Sequence, residues 1–170
     1  MASRHPGLTT SLADHQCEAA GVCLARFHAL PPSILTVHAP GVDRRYELIW
    51  RFPTQVEVAA NANEDDATEA GAYAVALAAV DVHLGLVTIG RTYRRSGADW
   101  HLRPYPVVER VFDIDGDDVV RLEVSGVSDD DDAKMRERAR VKRAQAAARP
   151  GPALVAIVGF RSPRVLIRSV

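Results

Sequence analysis

Glu123 is the residue whose sequence setting points most directly to chemistry. In the segment RLEVSG, the alternation of a β-strand places Glu123 on one face with Arg121 and Ser125, and apolar residues on the other. A carboxylate on the open face of an otherwise apolar strand is what a metal site needs, and oxygen ligands suit Mg²⁺. A glutamate on a half-exposed strand is often simply a solvated residue, so both interpretations stay open.

Two further acidic residues, Glu69 and Asp99, also have a structural and a chemical interpretation. Asp66 and Glu69 have the spacing of a capping box at the start of a helix. Asp99 follows the small residues 96–98 and would serve to close a turn. If Asp99 and Glu123 instead share a Mg²⁺ ion, the fold must bring both carboxylates within about 2.0–2.1 Å of it.

The periodicity of the chain predicts a single domain over residues 1–170. We expect a loose tail over 1–13, an N-terminal helix and strands over 14–63, and a core over 64–170. The predicted helices cover 14–29, 67–84 and 132–148. The predicted strands cover 34–38, 44–52, 55–60, 86–93, 98–103, 107–114, 118–125, 153–160 and 164–169. A hairpin turn is expected at residues 115–117.

The helix predicted over 67–84 carries the strongest pattern. Its apolar residues recur at alternating spacings of three and four, which is one helical face. They are Ala70, Tyr73, Leu77, Val80 and Leu84. Gly85 is a natural C-cap. We therefore expect this helix to be buried on one side.

The helix predicted over 132–148 is strongly basic and has two interpretations. Between residues 134 and 149 it carries one acid, Glu137, among many bases. The bases are Lys134, Arg136, Arg138, Arg140, Lys142, Arg143 and Arg149. Such a stripe would follow a phosphate backbone, with Arg136, Arg140 and Arg143 as the nucleic-acid-binding residues. Alternatively, it is a solvated helix with cations near its C-terminal end, where the helix dipole favours them.

From residue 66 onwards, the order helix, three or four strands, helix, strand resembles the αβββαβ core of the PD-(D/E)XK (restriction-endonuclease-like) family. The resemblance covers roughly residues 64–160. It implies an α/β (α+β) fold with a mixed central sheet for that range. The N-terminal helix and β-strands that the pattern predicts precede it and lie outside the resemblance. In that family a helix carries a supporting Glu, a strand start carries an Asp, and the next strand carries Glu-x-Lys.

This resemblance implies a role for each candidate residue. Glu69 would be the supporting glutamate, and Asp99 and Glu123 would hold Mg²⁺, which polarises the scissile phosphate and activates water. Ser125 stands where the family has its lysine. The chain has only two lysines, and Lys134, at the start of the second core helix, is the one we expect to replace the missing charge.

Composition and charge narrow the function classes. The chain is 47% hydrophobic and 25% charged, ordinary values for a globular domain. A net charge of −1 gives no global field that would attract nucleic acid or a membrane, so any basic surface is local. No apolar run reaches the length of a membrane span, and residues 1–12 lack a signal-peptide pattern, so we expect a cytoplasmic protein. Cys17 and Cys23 are expected to be reduced thiols.

Three function hypotheses follow. The first is Mg²⁺-dependent hydrolysis of DNA phosphodiester bonds, with Asp99 and Glu123 as metal ligands. The second is a catalytically inactive protein of the same fold, marked by Ser125, that binds DNA or protein partners as a subunit of a larger assembly. The third is an unrelated α/β domain that forms a homo-oligomer. Metal-dependent DNA cleavage that both Asp99→Ala and Glu123→Ala abolish would separate the first from the others.

Overall fold

The structure is a computed structural model that describes residues 1–92, 98–107, 114, 116, 118–129 and 131–170. Its helices are α1 (Thr10–Ala25), α2 (Gln55–Ala60), α3 (Glu64–Leu84) and α4 (Asp132–Ala147). Its strands are β1 (Ser33–Ala39), β2 (Val42–Leu48), β3 (Leu86–Arg91), β4 (Trp100–Pro104), β5 (Val120–Val127), β6 (Ala153–Gly159) and β7 (Arg164–Ser169). Together they make a mixed α+β fold, as the sequence predicts at this level.

The described strands form one mixed, seven-stranded sheet in the order β2-β1-β7-β6-β5-β4-β3. Strand β4 is antiparallel to both of its neighbours, β3 and β5, whereas β5 and β6 are parallel and are connected through α4. A parallel pair needs such a crossover connection, because the chain must return to the same end of the sheet. Strands β7 and β1 form a second parallel pair, and the antiparallel β1–β2 hairpin ends the sheet.

The two long core helices cover opposite faces of the sheet. Ala156 and Val158 belong to the core beneath α3, whereas Val155 and Ile157 pack with Met135 of α4. Because side chains alternate along a strand, these two sets face opposite ways. The sheet is therefore a central layer with a helix on each side.

Helix α3 is buried more widely than the sequence predicts. Nearly every residue from Gly71 to Val80 is buried, because α1 covers the side of α3 that faces away from the sheet. A Cβ atom added to Gly71 would lie 2.9 Å from the backbone nitrogen of Ala20, so the two helices touch backbone to backbone. The expectation that α3 is buried on one side is wrong. The periodicity of α3 predicts the face that packs on the sheet, but it does not reveal that α1 covers another face.

The C-terminal end of α3 agrees with the prediction, whereas its N-terminal end does not. Gly85 is the C-cap, with a left-handed φ of 68°, as predicted. The N-cap is Asn63 rather than Asp66, and its side chain accepts from the backbone N–H groups of Asp65 and Asp66. The predicted capping box of Asp66 and Glu69 is therefore wrong. An asparagine caps as well as an aspartate, and acidic residues then fill the first turn, where the helix dipole favours them.

The segment after β1 differs from the prediction in two places. The strand predicted over 44–52 already ends at Leu48, in β2. The strand predicted over 55–60 is helix α2 instead. The Thr54 side chain accepts from the Glu57 N–H, and the Glu57 carboxylate accepts from the Thr54 N–H at 2.7 Å. This capping box overrides the strand-like alternation of the segment.

Residues 1–13 are not a loose tail. His5 and Leu8 are buried, and the Gly7 N–H donates to the Thr88 carbonyl at 2.9 Å. Helix α1 begins at Thr10, earlier than the predicted 14, and ends at Ala25. The tail prediction is wrong because its contacts come from distant parts of the chain.

The remaining predicted elements agree with the structure apart from small shifts at their ends: 34–38, 86–93, 98–103, 118–125, 132–148, 153–160 and 164–169. The strand predicted over 107–114 and the turn at 115–117 lie largely outside the described residues. Within the described part of the chain, no helix combines the length and apolar character that crossing a membrane requires.

Candidate functional site

The candidate site lies where β4 begins beside β5. Trp100, the first residue of β4, pairs with Leu122, and the Asp99 N–H donates to the Leu122 carbonyl at 2.8 Å. One step further along β5, the Val124 N–H donates to Oδ2 of Asp99 at 2.8 Å. The carboxylate of Asp99 thus accepts the Val124 N–H in the way that a backbone carbonyl of a neighbouring strand accepts an N–H elsewhere in the sheet. This contact fixes the carboxylate of Asp99 against β5.

Tyr73 connects Glu69 of α3 to Asp99, which immediately precedes β4. Its hydroxyl lies 2.8 Å from Oε1 of Glu69 and 3.1 Å from Oδ1 of Asp99. A phenol has one proton, so it donates to only one of these carboxylates at a time. Burial, followed by the charge of Asp99, raises the pKa of Tyr73, so the hydroxyl remains protonated and acts as a donor.

Glu123 lies on the face of β5 opposite Leu122 and Val124 and is paired with a lysine from α4. The Lys142 ammonium group donates to Oε1 of Glu123. The Glu123 side chain is only 8% exposed and that of Lys142 is 21% exposed. The pair is therefore largely removed from water, and the attraction between its charges is less screened than it would be in water.

The acidic side chains influence one another electrostatically. Burial raises the pKa of Glu123 most, and the negative charges of Asp99 and Glu69 raise it further, against the opposing effect of Lys142. Burial also raises the pKa of Asp99, against the Val124 N–H and Tyr73. Both carboxylates thus carry a cost for ionisation that a nearby cation would relieve. We call Glu69, Asp99 and Glu123 the carboxylate cluster.

The cluster offers carboxylate oxygens, which are the type of donor that Mg²⁺ prefers. Across the described residues, no three His, Cys, Asp or Glu side chains form a ready-made metal-holding group. Mg²⁺ does not need one, because it usually keeps several waters and binds through one or two carboxylates together with substrate phosphates. Asp99 and Glu123 are two oxygen-bearing groups of this kind, and Glu69 accepts from the Tyr73 hydroxyl that also lies beside Asp99.

Lys134 does not lie with the cluster, and this expectation needs correction. Its ammonium group is exposed and lies 3.1 Å from Oδ2 of Asp129 and 3.7 Å from Oδ2 of Asp131. The aspartates before α4 hold it at the first turn of the helix. Ser125, which stands at the lysine position of the family, is half-buried on β5 opposite Ile157 of β6.

Lys142, which pairs with Glu123, was not among the site residues that the sequence predicted. Met135, Ala139 and Ala146 are the buried residues of α4. Lys142 falls three residues after Ala139 and four before Ala146, so it shares their inward face. The signal was therefore present in the sequence as helical spacing, although the basic composition of the helix obscures it.

Arg121 has a structural role. The strand alternation places it on the same face of β5 as Glu123, and its guanidinium donates to the carbonyls of Arg149 at 2.9 Å and Gly151 at 3.1 Å. It also lies 3.4 Å from the carbonyl oxygen of Ala146. Arg121 therefore binds the C-terminal end of α4, where carbonyls lack helical partners.

The outer surface of α4 keeps its basic residues exposed. Arg136, Arg140 and Arg143 follow the spacing of one helical face, and all three are exposed. Arg140 also pairs with Glu137 at 2.6 Å. This exposed stripe runs along the same helix that delivers Lys142 to the carboxylate cluster.

Arg91, at the end of β3, was not singled out from the sequence. Its Cζ atom lies 4.7 Å from the ring centroid of Tyr73 and 4.7 Å from that of Trp100. The two rings meet at an interplanar angle of 78°, with centroids 5.9 Å apart. No local pattern predicts this contact, because it requires a helix and two strands to meet.

A cavity of about 810 Å³ lies elsewhere, between α1, α3 and the segment that follows β2. Its lining is mostly apolar and includes Leu24, Trp50 and Val75. No residue of the carboxylate cluster lines it. The cavity and the cluster are therefore separate features.

Comparison of the chain with protein-family models, with curated proteins and with solved structures found no match in any of the three.

Proposed function

We propose that this chain is a PD-(D/E)XK-like protein that hydrolyses DNA phosphodiester bonds with Mg²⁺. One observation carries the proposal: the Tyr73 hydroxyl joins Glu69 to Asp99, and the charges of these two carboxylates act on Glu123, which pairs with Lys142. Acidic side chains that are far apart in sequence and influence one another electrostatically suit binding of a divalent cation, because carboxylate oxygens are the ligands that Mg²⁺ prefers.

The order of elements supports the same family. From α3 to β6 the described chain runs helix, three strands, helix, strand, which is the αβββαβ order expected of the family, and β7 follows. The sheet is mixed, with antiparallel β3, β4 and β5 followed by the parallel pair β5 and β6. The N-terminal region adds α1 over α3 and the β1–β2 hairpin beside β7.

In the proposed mechanism, Asp99 and Glu123 hold the metal and the remaining residues orient them. Bound Mg²⁺ would polarise the scissile phosphate and activate a water molecule. The Val124 N–H and the Tyr73 hydroxyl hold the Asp99 carboxylate in one orientation. Lys142 supplies the positive charge that Ser125 cannot, and in the substrate complex it would turn from Glu123 towards the charge that develops on the phosphate.

The surface of α4 supports DNA as the substrate. Arg136, Arg140 and Arg143 form an exposed basic stripe on the helix that also carries Lys142. Since the net charge of the chain is −1, this local stripe has to supply the attraction for a phosphate backbone.

A second candidate function is that of a catalytically inactive binding or scaffolding subunit of a larger assembly. It is favoured by the ion pair of Lys142 and Glu123, which partly compensates the buried carboxylate without a metal. In that case the basic stripe would bind DNA, but no bond would be cut.

Plasmid cleavage separates the two candidates. The wild-type chain should cleave DNA with Mg²⁺ and stop when a chelator is added, and Asp99→Asn and Glu123→Gln should each abolish cleavage. Asp66→Asn and Glu47→Gln are matched controls, because both residues are exposed and lie outside the cluster. DNA binding without cleavage would favour the second candidate. Cleavage that persists in both cluster variants would remove this site from consideration.

A further inference from the structure

Arg91 presents a positive charge beside the carboxylate cluster that the proposed mechanism does not yet use. It is the last residue of β3 and is exposed. Its guanidinium rests against the rings of Tyr73 and Trp100, at 4.7 Å from each centroid. Among the described residues, no carboxylate forms an ion pair with it.

The aromatic contacts fix the position of Arg91 without using its hydrogen-bond donors. A cation over a ring face is attracted by the quadrupole of the ring, so the N–H groups stay available for an acceptor. Guanidinium has five such donors in a planar fork, which matches two oxygens of a phosphate. The residue is therefore held in place and ready for a bidentate anion.

Its location relative to the cluster is set by Tyr73. The ring that supports Arg91 carries the hydroxyl that lies between Glu69 and Asp99. The charge of Arg91 is close enough to lower the pKa of Asp99. A phosphate that binds at the cluster would lie within reach of this guanidinium.

We infer that Arg91 binds a phosphate of the substrate at the carboxylate cluster, and that this contact reads the charge of the nucleic-acid backbone rather than its bases. The inference rests on the proposed function and adds a positioning residue to it. The aromatic rings beside Arg91 are themselves buried, Tyr73 at 6% and Trp100 at 0% exposure, so they offer no face on which a base could stack. Phosphate contacts position a nucleic acid without specifying its sequence.

The test measures binding of two short DNA duplexes of unrelated sequence, with Ca²⁺ in place of Mg²⁺, over a series of salt concentrations. Arg91→Ala should weaken binding of both duplexes equally, by about ten- to a hundredfold. It should also lower the slope of log affinity against log salt by about 1, as loss of one phosphate contact does. Arg91→Lys should recover part of the affinity, because it keeps the charge and loses the planar fork.

Arg44→Ala is the matched control, because Arg44 is exposed on β2 at the opposite edge of the sheet from β3. It should leave both affinity and salt slope unchanged. If Arg91→Ala unfolds, Arg91→Gln keeps much of the side-chain stem and is judged by the same two measurements. An unchanged salt slope in the Arg91 variants, or equal effects in Arg44→Ala, would overturn the inference.

Cleavage assays with Mg²⁺ on the same variants distinguish this inference from the proposed function. If the wild type binds DNA through Arg91 but does not cleave it, hydrolysis is wrong and the phosphate contact stands. If the wild type cleaves and Arg91→Ala cleaves with an unchanged KM, hydrolysis stands and the role of Arg91 is wrong. If the wild type neither binds nor cleaves, both are wrong.

Discussion

The ammonium group of Lys142 donates a hydrogen bond to Oε1 of Glu123, so α4 places a lysine against the acidic residue of β5. The strand itself has Ser125 two residues after Glu123, where a lysine would be expected from the resemblance. The positive charge therefore comes from a neighbouring element. Lys134, on the same helix, pairs with the aspartates before it instead.

The two lysines should consequently differ in their effect on cleavage. Lys142→Met should lower kcat by at least about a hundredfold, since it removes the charge that faces the reacting phosphate. Lys134→Met should leave kcat within about twofold of the wild type, because surface ion pairs contribute little. Equal kcat values for the two variants in a Mg²⁺-dependent cleavage assay would contradict the role of Lys142.

Moving the lysine back to the strand provides a sharper test. Glu123 and Ser125 lie on one face of β5, so a lysine at 125 would start beside the same carboxylate. The double variant Ser125→Lys with Lys142→Met should recover a measurable part of the cleavage that Lys142→Met loses. Recovery should be absent when Ser125→Lys is combined with Glu123→Gln, because the metal ligand itself is then lost.

Asp99 should lower the free energy of unfolding, although its carboxylate is needed for the proposed metal binding. Burial raises the pKa of its carboxyl group, so the ionised form is disfavoured in the folded chain. An asparagine in its place would still accept from the Val124 N–H and would carry no buried charge. We expect Asp99→Asn to raise the midpoint of urea unfolding at pH 8 while abolishing cleavage. Asp66→Asn, at an exposed position, should leave the midpoint unchanged, and a lower midpoint for Asp99→Asn would contradict the expectation.

Gly126 sets the distance between α3 and β5. A Cβ atom added there would lie 2.5 Å from the carbonyl oxygen of Thr68 and 2.6 Å from its Cγ2. Gly126→Val should therefore destabilise the fold by about 1–3 kcal/mol. It should also lower cleavage per folded molecule, because Thr68 precedes Glu69 and both would shift away from β5. The free energy of unfolding from urea titration, with cleavage corrected for folded protein, measures both effects.

Gly90→Ala is the control for this substitution. A Cβ atom at Gly90 meets nothing within 4 Å, so unfolding should change by less than about 1 kcal/mol. Equal destabilisation by the two variants would show that backbone entropy, and not the close approach of α3, makes Gly126 necessary.

Local signals predicted much of the fold and the acidic members of the site. Helix α3 follows from the spacing of Tyr73, Leu77 and Val80, and its end follows from Gly85. Strand alternation places Glu123 on the side of β5 opposite Leu122 and Val124, as the clusters of buried residues bear out. Such patterns are predictable because one element determines them.

Features that need two distant elements were not predictable in the same way. The contacts of Arg91 require α3 and β4 to meet β3, and the burial of His5 requires Thr88. The wrong prediction of a strand where the structure has helix α2 has a different cause. Thr54 and Glu57 carry a capping-box spacing that a reader of the sequence could use, but the alternation of the segment favours a strand.

His5 should make the stability of the fold depend on pH. The residue is 1% exposed, and its Nδ1 accepts a hydrogen bond from the Thr88 N–H at 3.1 Å. Nδ1 can accept only when it carries no proton, so protonation would replace this bond with a contact between two donors. Burial lowers the pKa of His5, and the nearby carboxylate of Asp81 only partly offsets this.

The sign of the effect follows from the lowered pKa. The folded chain binds a proton at His5 less readily than the unfolded chain, whose histidine has a pKa of about 6.5. The stabilisation is therefore fully present above pH 6.5 and is lost as the pH falls towards the pKa of the folded state. In that pH window, the titration of His5 should lower the free energy of unfolding by at most about 1.4 kcal/mol per pH unit.

Urea unfolding of the wild type and of His5→Asn at several pH values between 8 and 5 measures this contribution. An asparagine oxygen would accept from the Thr88 N–H in place of Nδ1 and does not titrate in this range. We expect His5→Asn to be less stable at pH 8, because the smaller side chain leaves a cavity, and to lose less stability on acidification. The difference between the two curves isolates His5 from the other titrating groups. Parallel curves would mean that His5 can be protonated without loss of its contact with Thr88.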